Sequence, residues 1–320
     1  MQYVGLHTQR VRNNFRSILL LCLFPCLVIL LTFLFAALLV FFTTEAQGNM
    51  DFWEQSLSIA LNLSPFILVG VAVWFLIAYF ANTAIIRAAT GARSLERKEN
   101  RRVYNLVENL CMTKGMTMPK INLIEDDSLN AYASGVNNRT YTVSLSRGII
   151  NKLDDEELEA VIAHELMHIR NRDVRLLIVS IVFVGIFAML TQIAFRILLN
   201  SSGRSRNSKN GKGTIVVILI ALAVAAIGYF FASLMRFAIS RNREYMADAG
   251  SAEMTRKPYA LASALRKISR DPAIEAVTRD DVAQLFIEHP KKKEKIFAGI
   301  SGLFATHPPI EKRIAVLEQI

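Results

Sequence analysis

The sequence predicts a mostly α-helical, polytopic membrane protein with a small β-sheet. Four apolar segments carry this prediction, at residues 18–42, 57–79, 176–195 and 214–235. Each is close to the roughly 20 residues that an α-helix needs to cross the hydrocarbon layer of a bilayer. The chain has 320 residues and is 52% hydrophobic, so it can supply both about four transmembrane helices and a separate folded core.

The first apolar segment follows Arg10, Arg12 and Arg16. We interpret it as an uncleaved anchor and not as a signal peptide, because its apolar stretch is far longer than the roughly 7 to 15 residues of a signal core. The next loop, residues 43–55, contains three acidic residues and no lysine or arginine. The positive-inside rule therefore places the N-terminus and the part after the second span in the cytoplasm.

Between the two pairs of apolar segments, the pattern is that of a mixed α and β domain. The apolar spacing of residues 95–112 predicts a helix. Residues 120–124 and 141–145 read as short strands, with a third strand at 131–134. Glycine and asparagine residues in 135–139 predict a turn between the strand at 131–134 and the strand at 141–145.

The pentapeptide HELMH is the most informative motif of the chain. Residues four apart share one face of a helix, so His164 and His168 can reach one metal ion. Glu165 points elsewhere, which leaves its carboxylate free to act as a base. Asp154 and Glu157 occupy the positions of a capping box and predict where this helix begins. The motif predicts a zinc peptidase site, the alternative being two incidental histidines on a solvated helix face.

A catalytic zinc ion needs three protein ligands and one open position, so a third ligand must come from elsewhere in the chain. Glu244 is the best candidate. Asp248 lies four residues later on the same predicted helix face and can hydrogen-bond the second ring nitrogen of one histidine. The alternative is that both acids are surface charges beside Arg241 and Arg243.

The loop at residues 200–213 does not fit simple alternation across the membrane. It contains four basic residues and no acidic residue, although alternation places it outside the cytoplasm. Either the earlier helices force its position, or the second apolar pair does not fully cross the bilayer. In both cases HELMH and Glu244 must share one ion, so the chain has to leave and return on the same face.

Three stretches carry a resemblance to a known family. HELMH, RNREYMADAGSAEM after the second apolar pair, and FATHPPIEKRI in the C-terminal part together resemble the HtpX-type membrane metallopeptidases, relatives of the CAAX prenyl protease. The resemblance covers residues 130–320 and agrees with the four apolar segments. It implies a zincin-like (gluzincin) catalytic domain, one Zn²⁺ per chain, Glu244 as the third ligand and Asp248 in a supporting role.

The same resemblance implies further site residues. His307 would assist the transition state, and Arg313 would brace the site. Independently, Pro308 and Pro309 stiffen the backbone after His307, which suits a rigidly held donor; the alternative is a histidine that caps the terminal helix. The resemblance also assigns substrate binding to a strand that lines the cleft, in which the third residue is more often phenylalanine: Asn130, Ala131, Tyr132 and Ala133.

From these features we expect four parts. Residues 1–81 form an N-terminal transmembrane hairpin, and 82–175 form a cytoplasmic catalytic part with edge strands and the HELMH helix. Residues 176–235 form a second hydrophobic hairpin, and 236–320 form the C-terminal catalytic part with the third zinc ligand. An edge strand beside the HELMH helix can bind an extended peptide by β-pairing.

The expected function is that of a membrane-bound zinc endopeptidase, with Glu165 as the base and His307 as a transition-state donor. Pairing at an edge strand suits unfolded polypeptides as substrates. The resemblance implies damaged membrane proteins as substrates, in a bacterial inner membrane. A catalytically silent metal-binding scaffold and a prenyl-protein protease are the alternatives. The sequence leaves homo-oligomerisation open.

The net charge of +10 is explained by lysines and arginines that flank the spans and attract anionic lipid headgroups. These basic residues are not interleaved with aromatic residues, so nucleic-acid binding is not expected. The three cysteines are interpreted as small packing residues, without a disulfide framework or a cysteine zinc site.

Overall fold

The computed structural model describes residues 6–43, 49–204, 211–237, 242–270 and 308–320. The helices in these ranges are α1 (Leu6–Thr43), α2 (Asn49–Thr90), α3 (Arg101–Lys114), α4 (Arg147–Lys152), α5 (Asp155–Arg170), α6 (Asp173–Arg204), α7 (Gly211–Phe237), α8 (Asn242–Thr255), α9 (Pro258–Ile268) and α10 (Ile310–Leu317). The strands are β1 (Arg93–Ser94), β2 (Lys120–Ile124), β3 (Ala131–Ser134) and β4 (Thr142–Ser146).

The chain forms two compact units. The sheet unit consists of residues 1–17, 80–178 and 237–320, and the span unit consists of residues 18–79 and 179–236. The strands and helices α3, α4, α5, α8, α9 and α10 belong to the sheet unit.

The expectation of four membrane-spanning helices is confirmed within the described part of the chain. The candidate spans are Leu21–Phe42, Asp51–Thr90, Asp173–Ile197 and Ile215–Ser233. Their outward side chains are large and apolar, with Phe66 and Phe80 each 78% exposed. Such exposure suits contact with lipid, where apolar surface has no cost of hydration.

Aromatic side chains form the core of the span unit. The Phe24 ring stacks on Phe183 with the ring centroids 3.8 Å apart, and Phe187 lies at an angle to Phe24. Gly228 allows a close helix approach here, because a Cβ atom at this position would lie 2.4 Å from the Phe187 ring. Small residues at such crossings are typical of helix packing in membranes.

The sheet has four strands in the order β1-β2-β4-β3. The central pair β2 and β4 is parallel, and both outer pairs are antiparallel. β3 is therefore an edge strand, as predicted, and all four of its residues are buried. Helix α5 packs against β3 and β4 on one side and against α3, α8 and α9 on the others.

Two predicted boundaries are wrong. Helix α3 begins at Arg101 and not at Leu95, because the Asn100 side chain caps its first turn and Leu95 donates its backbone N–H to Ile121 of the sheet. Strand β4 covers 142–146 instead of 141–145, since Ser146 still pairs with the end of β2 before it caps α4.

The predicted start of α5 is confirmed. Asp154 accepts a hydrogen bond from the backbone N–H of Glu157, and the Glu157 carboxylate accepts one from the N–H of Asp154. The same Glu157 carboxylate accepts hydrogen bonds from the side chains of Lys267 and Ser263, which both lie on α9. The capping box thus both starts α5 and ties it to α9.

The turn after β3 depends on glycine. Gly135 has a φ angle of +102°, and a Cβ atom there would lie 2.3 Å from the backbone oxygen of Thr140. Gly115, which ends α3, also has a positive φ of +61°, but a Cβ atom there would meet open space.

We predict that Gly135→Ala destabilises the protein far more than Gly115→Ala. The latter is expected to cost about 1 to 2 kcal/mol, the usual penalty of the left-handed conformation, whereas the former adds a backbone collision. Thermal unfolding of the two purified variants in detergent measures the difference. Equal losses in the two variants would contradict this role of Gly135.

Candidate metal centre

The site is built where α5 and α8 pack against each other. Small residues bring the two helices close: Ser251 donates its hydroxyl to the backbone oxygen of Ala160 at 2.7 Å. Gly250 leaves room for Met167, whose side chain would lie 2.4 Å from a Cβ atom at this position. The polar faces of both helices are consequently aligned around a common point in the core.

Three potential metal ligands meet at this point. The ligand atoms of His164, His168 and Glu244 all lie within 4.8 Å of one another. The two Nε2 atoms are 3.1 Å apart, and the Glu244 oxygens lie 3.6 Å from Nε2 of His164 and 3.7 Å from Nε2 of His168. The structure thus brings together the three residues that the sequence singles out.

These distances fit a tetrahedral ion. Two ligand atoms bound to one zinc ion at about 2.0 to 2.1 Å in tetrahedral geometry lie about 3.3 Å apart. The two Nε2 atoms, at 3.1 Å, fall close to this value, and each Nε2 atom lies 3.6 to 3.7 Å from a different oxygen of the Glu244 carboxylate. Two imidazoles and one carboxylate are also a donor set that zinc commonly has in catalytic sites, where the fourth position stays open.

Asp248 and Arg313 form a buried ion pair behind His164. Asp248 Oδ1 lies 3.0 Å from Nδ1 of His164. The Arg313 guanidinium donates two hydrogen bonds to the Asp248 carboxylate, of 2.8 Å from Nε and 2.7 Å from Nη2. Arg313 is 0% exposed, and its Nη1 lies 3.6 Å from Glu244. This geometry holds Asp248 in place beside the ring.

Sequence reasoning missed one carboxylate in the site. Asp173, the first residue of α6, places Oδ2 at 3.1 Å from Nδ1 of His168. Asp173 is 1% exposed. Its position five residues after the second histidine, at the start of a helix, was the available signal.

The electric field at the centre is that of a cation site. Burial acts to lower the pKa of His168, but Glu244 and Asp173 outweigh it and raise this pKa to about 10. The pKa of His164 is likewise raised, because the carboxylates of Asp248 and Glu244 outweigh the effect of burial. In the absence of a metal, the carboxylates therefore favour positive charge on the two rings.

Glu165 differs from the other acids of the site. Its carboxylate is 1% exposed, and none of the described residues donates a hydrogen bond to Oε1. Burial raises the pKa of Glu165. A carboxylate with a raised pKa and an unused acceptor atom has the properties of a general base.

The predicted substrate strand, β3, packs against helix α5. Asn130 and Tyr132 are buried, and the Tyr132 hydroxyl lies 2.9 Å from Oγ1 of Thr90. The hydroxyl that distinguishes Tyr132 from the more usual phenylalanine thus has a partner at the end of α2. His307 lies outside the described residues.

The orientation of the β3 backbone follows from its pairing. Ser146 donates its N–H to the oxygen of Asn130 at 3.0 Å, so residues 130, 132 and 134 form the hydrogen-bonded pairs with β4. The backbone groups of Ala131 and Ala133 consequently face away from β4, toward the outer edge of the sheet, where the two residues are 0% and 3% exposed. The N–H of Ala131 already donates to Oδ1 of Asn130.

Comparison with known proteins identifies the family. The sequence profile described as Peptidase family M48 matches residues 97–320. This match covers more than half of the chain, including α5, α8 and α10. The chain belongs to peptidase family M48.

Curated relatives match most or all of the chain. A Bacteroides fragilis (strain ATCC 25285) protein named Protease HtpX homolog is 69% identical over 322 residues, with 100% of both chains covered. A protein of the same name from Dictyoglomus thermophilum is 40% identical and covers 78% of this chain and 82% of its own. The crystal structure of S. mikatae Ste24p aligns with a TM-score of 0.44 and 18% identity, covering 97% of this chain and 66% of that one.

Family membership and the four apolar helices make this M48 peptidase a membrane metalloprotease. The expected mostly helical fold with a small sheet is confirmed, and the His164, His168 and Glu244 cluster fits a zincin site. The two alternatives, a silent scaffold and a prenyl-protein protease, are not favoured by these findings.

We predict that Arg313→Ala destabilises the sheet unit by about 3 to 5 kcal/mol, because it leaves the buried Asp248 carboxylate without its counter-charge. Arg266→Ala is the matched control. Arg266 pairs with Glu318, and both side chains are about half exposed, so its loss should cost less than about 1 kcal/mol. Denaturant unfolding of both variants tests this. Similar losses would show that the Arg313 pair contributes no more than a surface pair.

Proposed function

We propose that the protein is a zinc-dependent endopeptidase that cleaves polypeptides at the cytoplasmic face of a bacterial inner membrane. The observation that carries the proposal is the convergence of His164, His168 and Glu244 within 4.8 Å beside the buried Glu165. The separations of the ligand atoms match one tetrahedral ion, which supports one Zn²⁺ per chain.

In the proposed site, the metal ion activates the reacting groups and the protein side chains orient the ligands. When bound, zinc supplies a Lewis acid that polarises the peptide carbonyl and lowers the pKa of a water molecule. Asp248 orients His164 through the nitrogen that faces away from the cluster, and Arg313 holds Asp248. The His164 ring is thereby fixed before substrate arrives.

Glu165 is the proposed general base. It accepts the proton of the attacking water at its unpaired Oε1, and it then delivers this proton to the amine leaving group. Its raised pKa brings proton uptake closer to neutral pH than for an exposed glutamate. His307, whose placement the structure does not describe, is proposed to stabilise the oxyanion of the tetrahedral intermediate.

We propose that an extended substrate pairs with the outer edge of β3. The N–H and C=O of Ala133 and the C=O of Ala131 face this edge, and because the two residues are 3% and 0% exposed, pairing requires the groups that cover the edge to move aside. Recognition through backbone groups gives affinity with little sequence preference. Asn130 and Tyr132 support the strand from their buried positions. Such a binding mode suits unfolded or damaged membrane proteins, whose chains can become extended.

The cytoplasmic orientation rests on charge. Arg10, Arg12 and Arg16 precede the first span, whereas residues 43–55 carry acids only. The curated relatives reported above are bacterial proteins that are named proteases, which supports a proteolytic role in a bacterial membrane.

We predict that Glu165→Gln lowers peptidase activity by at least about a hundredfold while zinc stays bound, because the variant loses the base and keeps all three ligands. Cleavage of casein by the purified protein in detergent, with zinc measured by atomic absorption, tests this. Glu244→Ala is the complementary variant and should lower the zinc content itself. Full activity in Glu165→Gln would reject the base, and unchanged zinc in Glu244→Ala would reject the third ligand.

We predict that Ala133→Pro raises KM by about 2- to 13-fold, which corresponds to one lost hydrogen bond of about 0.5 to 1.5 kcal/mol. Proline removes the N–H that faces the outer edge of β3 and leaves the bonds to β4 in place. Ala133→Val is the control, since it adds a side chain of similar size and keeps the N–H. Equal KM values for the two variants would argue against substrate pairing at this edge.

A further inference from the structure

His168, the second histidine of the cluster, has a carboxylate partner of its own. His168 turns Nε2 toward the other ligands, 3.1 Å from His164 and 3.7 Å from Glu244, and turns Nδ1 toward the Asp173 carboxylate at 3.1 Å. We propose that Asp173 is a positioning residue that fixes the tautomer and ring orientation of His168, and so ties the metal site to the first turn of a membrane-spanning helix. This proposal rests on the proposed zinc function.

The two histidines are held by different means. The ring of His164 contacts Asp248, which Arg313 binds through two hydrogen bonds. The ring of His168 contacts Asp173, which lies in the first turn of α6, where the helix dipole favours a negative charge. The site thus has one carboxylate for each ring, and only the one at His164 is held by Arg313.

The backbone between the two helices is shaped for this contact. Helix α5 ends at Arg170, and Arg172 adopts the left-handed conformation with a φ angle of +60°. Its carbonyl oxygen accepts the N–H of Leu176, the first helical bond of α6. A non-glycine residue in this conformation carries a conformational cost. The short reversal returns Asp173 to the ring of His168.

The chemical role follows from the tautomer. A neutral imidazole that binds a metal through Nε2 must carry its proton on Nδ1, and a carboxylate acceptor at Nδ1 favours that form. It also raises the basicity of the ligand nitrogen. Asp173 is nearly inaccessible to water, at 1% exposed, so this hydrogen bond does not compete with bulk solvent.

Asp173 is also the first residue of the candidate span Asp173–Ile197. The contact therefore joins a metal ligand to the end of a membrane helix through one hydrogen bond. Arg313 makes a different connection, since it links His164 through Asp248 of α8 to helix α10.

The test measures zinc affinity directly. The full-length protein is purified in detergent, stripped of metal, and titrated with zinc against a chromogenic chelator. Asp173→Asn keeps the shape and an acceptor oxygen but loses the charge, and Asp173→Ala loses both. Asp51→Asn is the matched control, because Asp51 is also an acid in the first turn of a membrane-spanning helix. Thermal unfolding is recorded for each variant.

We expect the zinc dissociation constant to rise about 10- to 100-fold in Asp173→Ala, less in Asp173→Asn, and not at all in Asp51→Asn. The visible spectrum of the cobalt-substituted protein should change in both Asp173 variants, which a purely structural role would not cause. Unchanged affinity and spectrum in the folded Asp173→Asn variant would overturn the proposal, and so would equal loss in the Asp51 control. Failure of the wild type to bind zinc would instead reject the proposed function.

Discussion

The close packing of α5 against α8 is the constraint on which the site depends. The two helices carry different ligands, and both candidate spans of the second apolar pair lie between them in the chain. Their contact relies on small groups, as in the bond from Ser251 to Ala160 and in the space that Gly250 leaves for Met167. A larger residue at either place would separate Glu244 from the histidines.

Burial makes the charged groups of the site reactive, and it also makes them energetically unfavourable unless they are paired. The side chains of His164, Glu165, Glu244, Asp248 and Arg313 are all at most 3% exposed, so their charges are poorly solvated. Removing charges from water is costly unless they are paired. Asp248 and Arg313 satisfy this condition with two hydrogen bonds. Glu165 does not, and the same burial that is unfavourable for its charge gives it the proton affinity of a base.

The sequence was most informative where local patterns decide the structure. The capping box at Asp154 and the four apolar segments are set by residues near one another in the chain, and both are confirmed. The start of α3 was mispredicted because Leu95 pairs with Ile121, a contact that spacing does not reveal. Asp173 was missed for a similar reason, since its role depends on a left-handed residue at 172 and on the direction of the His168 ring. The prediction of Glu244 as the third ligand and of Asp248 as its supporting residue needed the family resemblance as well as the four-residue spacing.

The spread of the site along the chain has a consequence during synthesis. His164 and Arg313 are 149 residues apart, and α6 and α7 are made in the interval. A nascent chain that has been synthesised only as far as HELMH lacks the carboxylate ligand Glu244. It also lacks Arg313, the residue that neutralises Asp248. The cluster of three ligands can therefore assemble only after α6 and α7 have been synthesised, because Glu244 follows both helices in the chain.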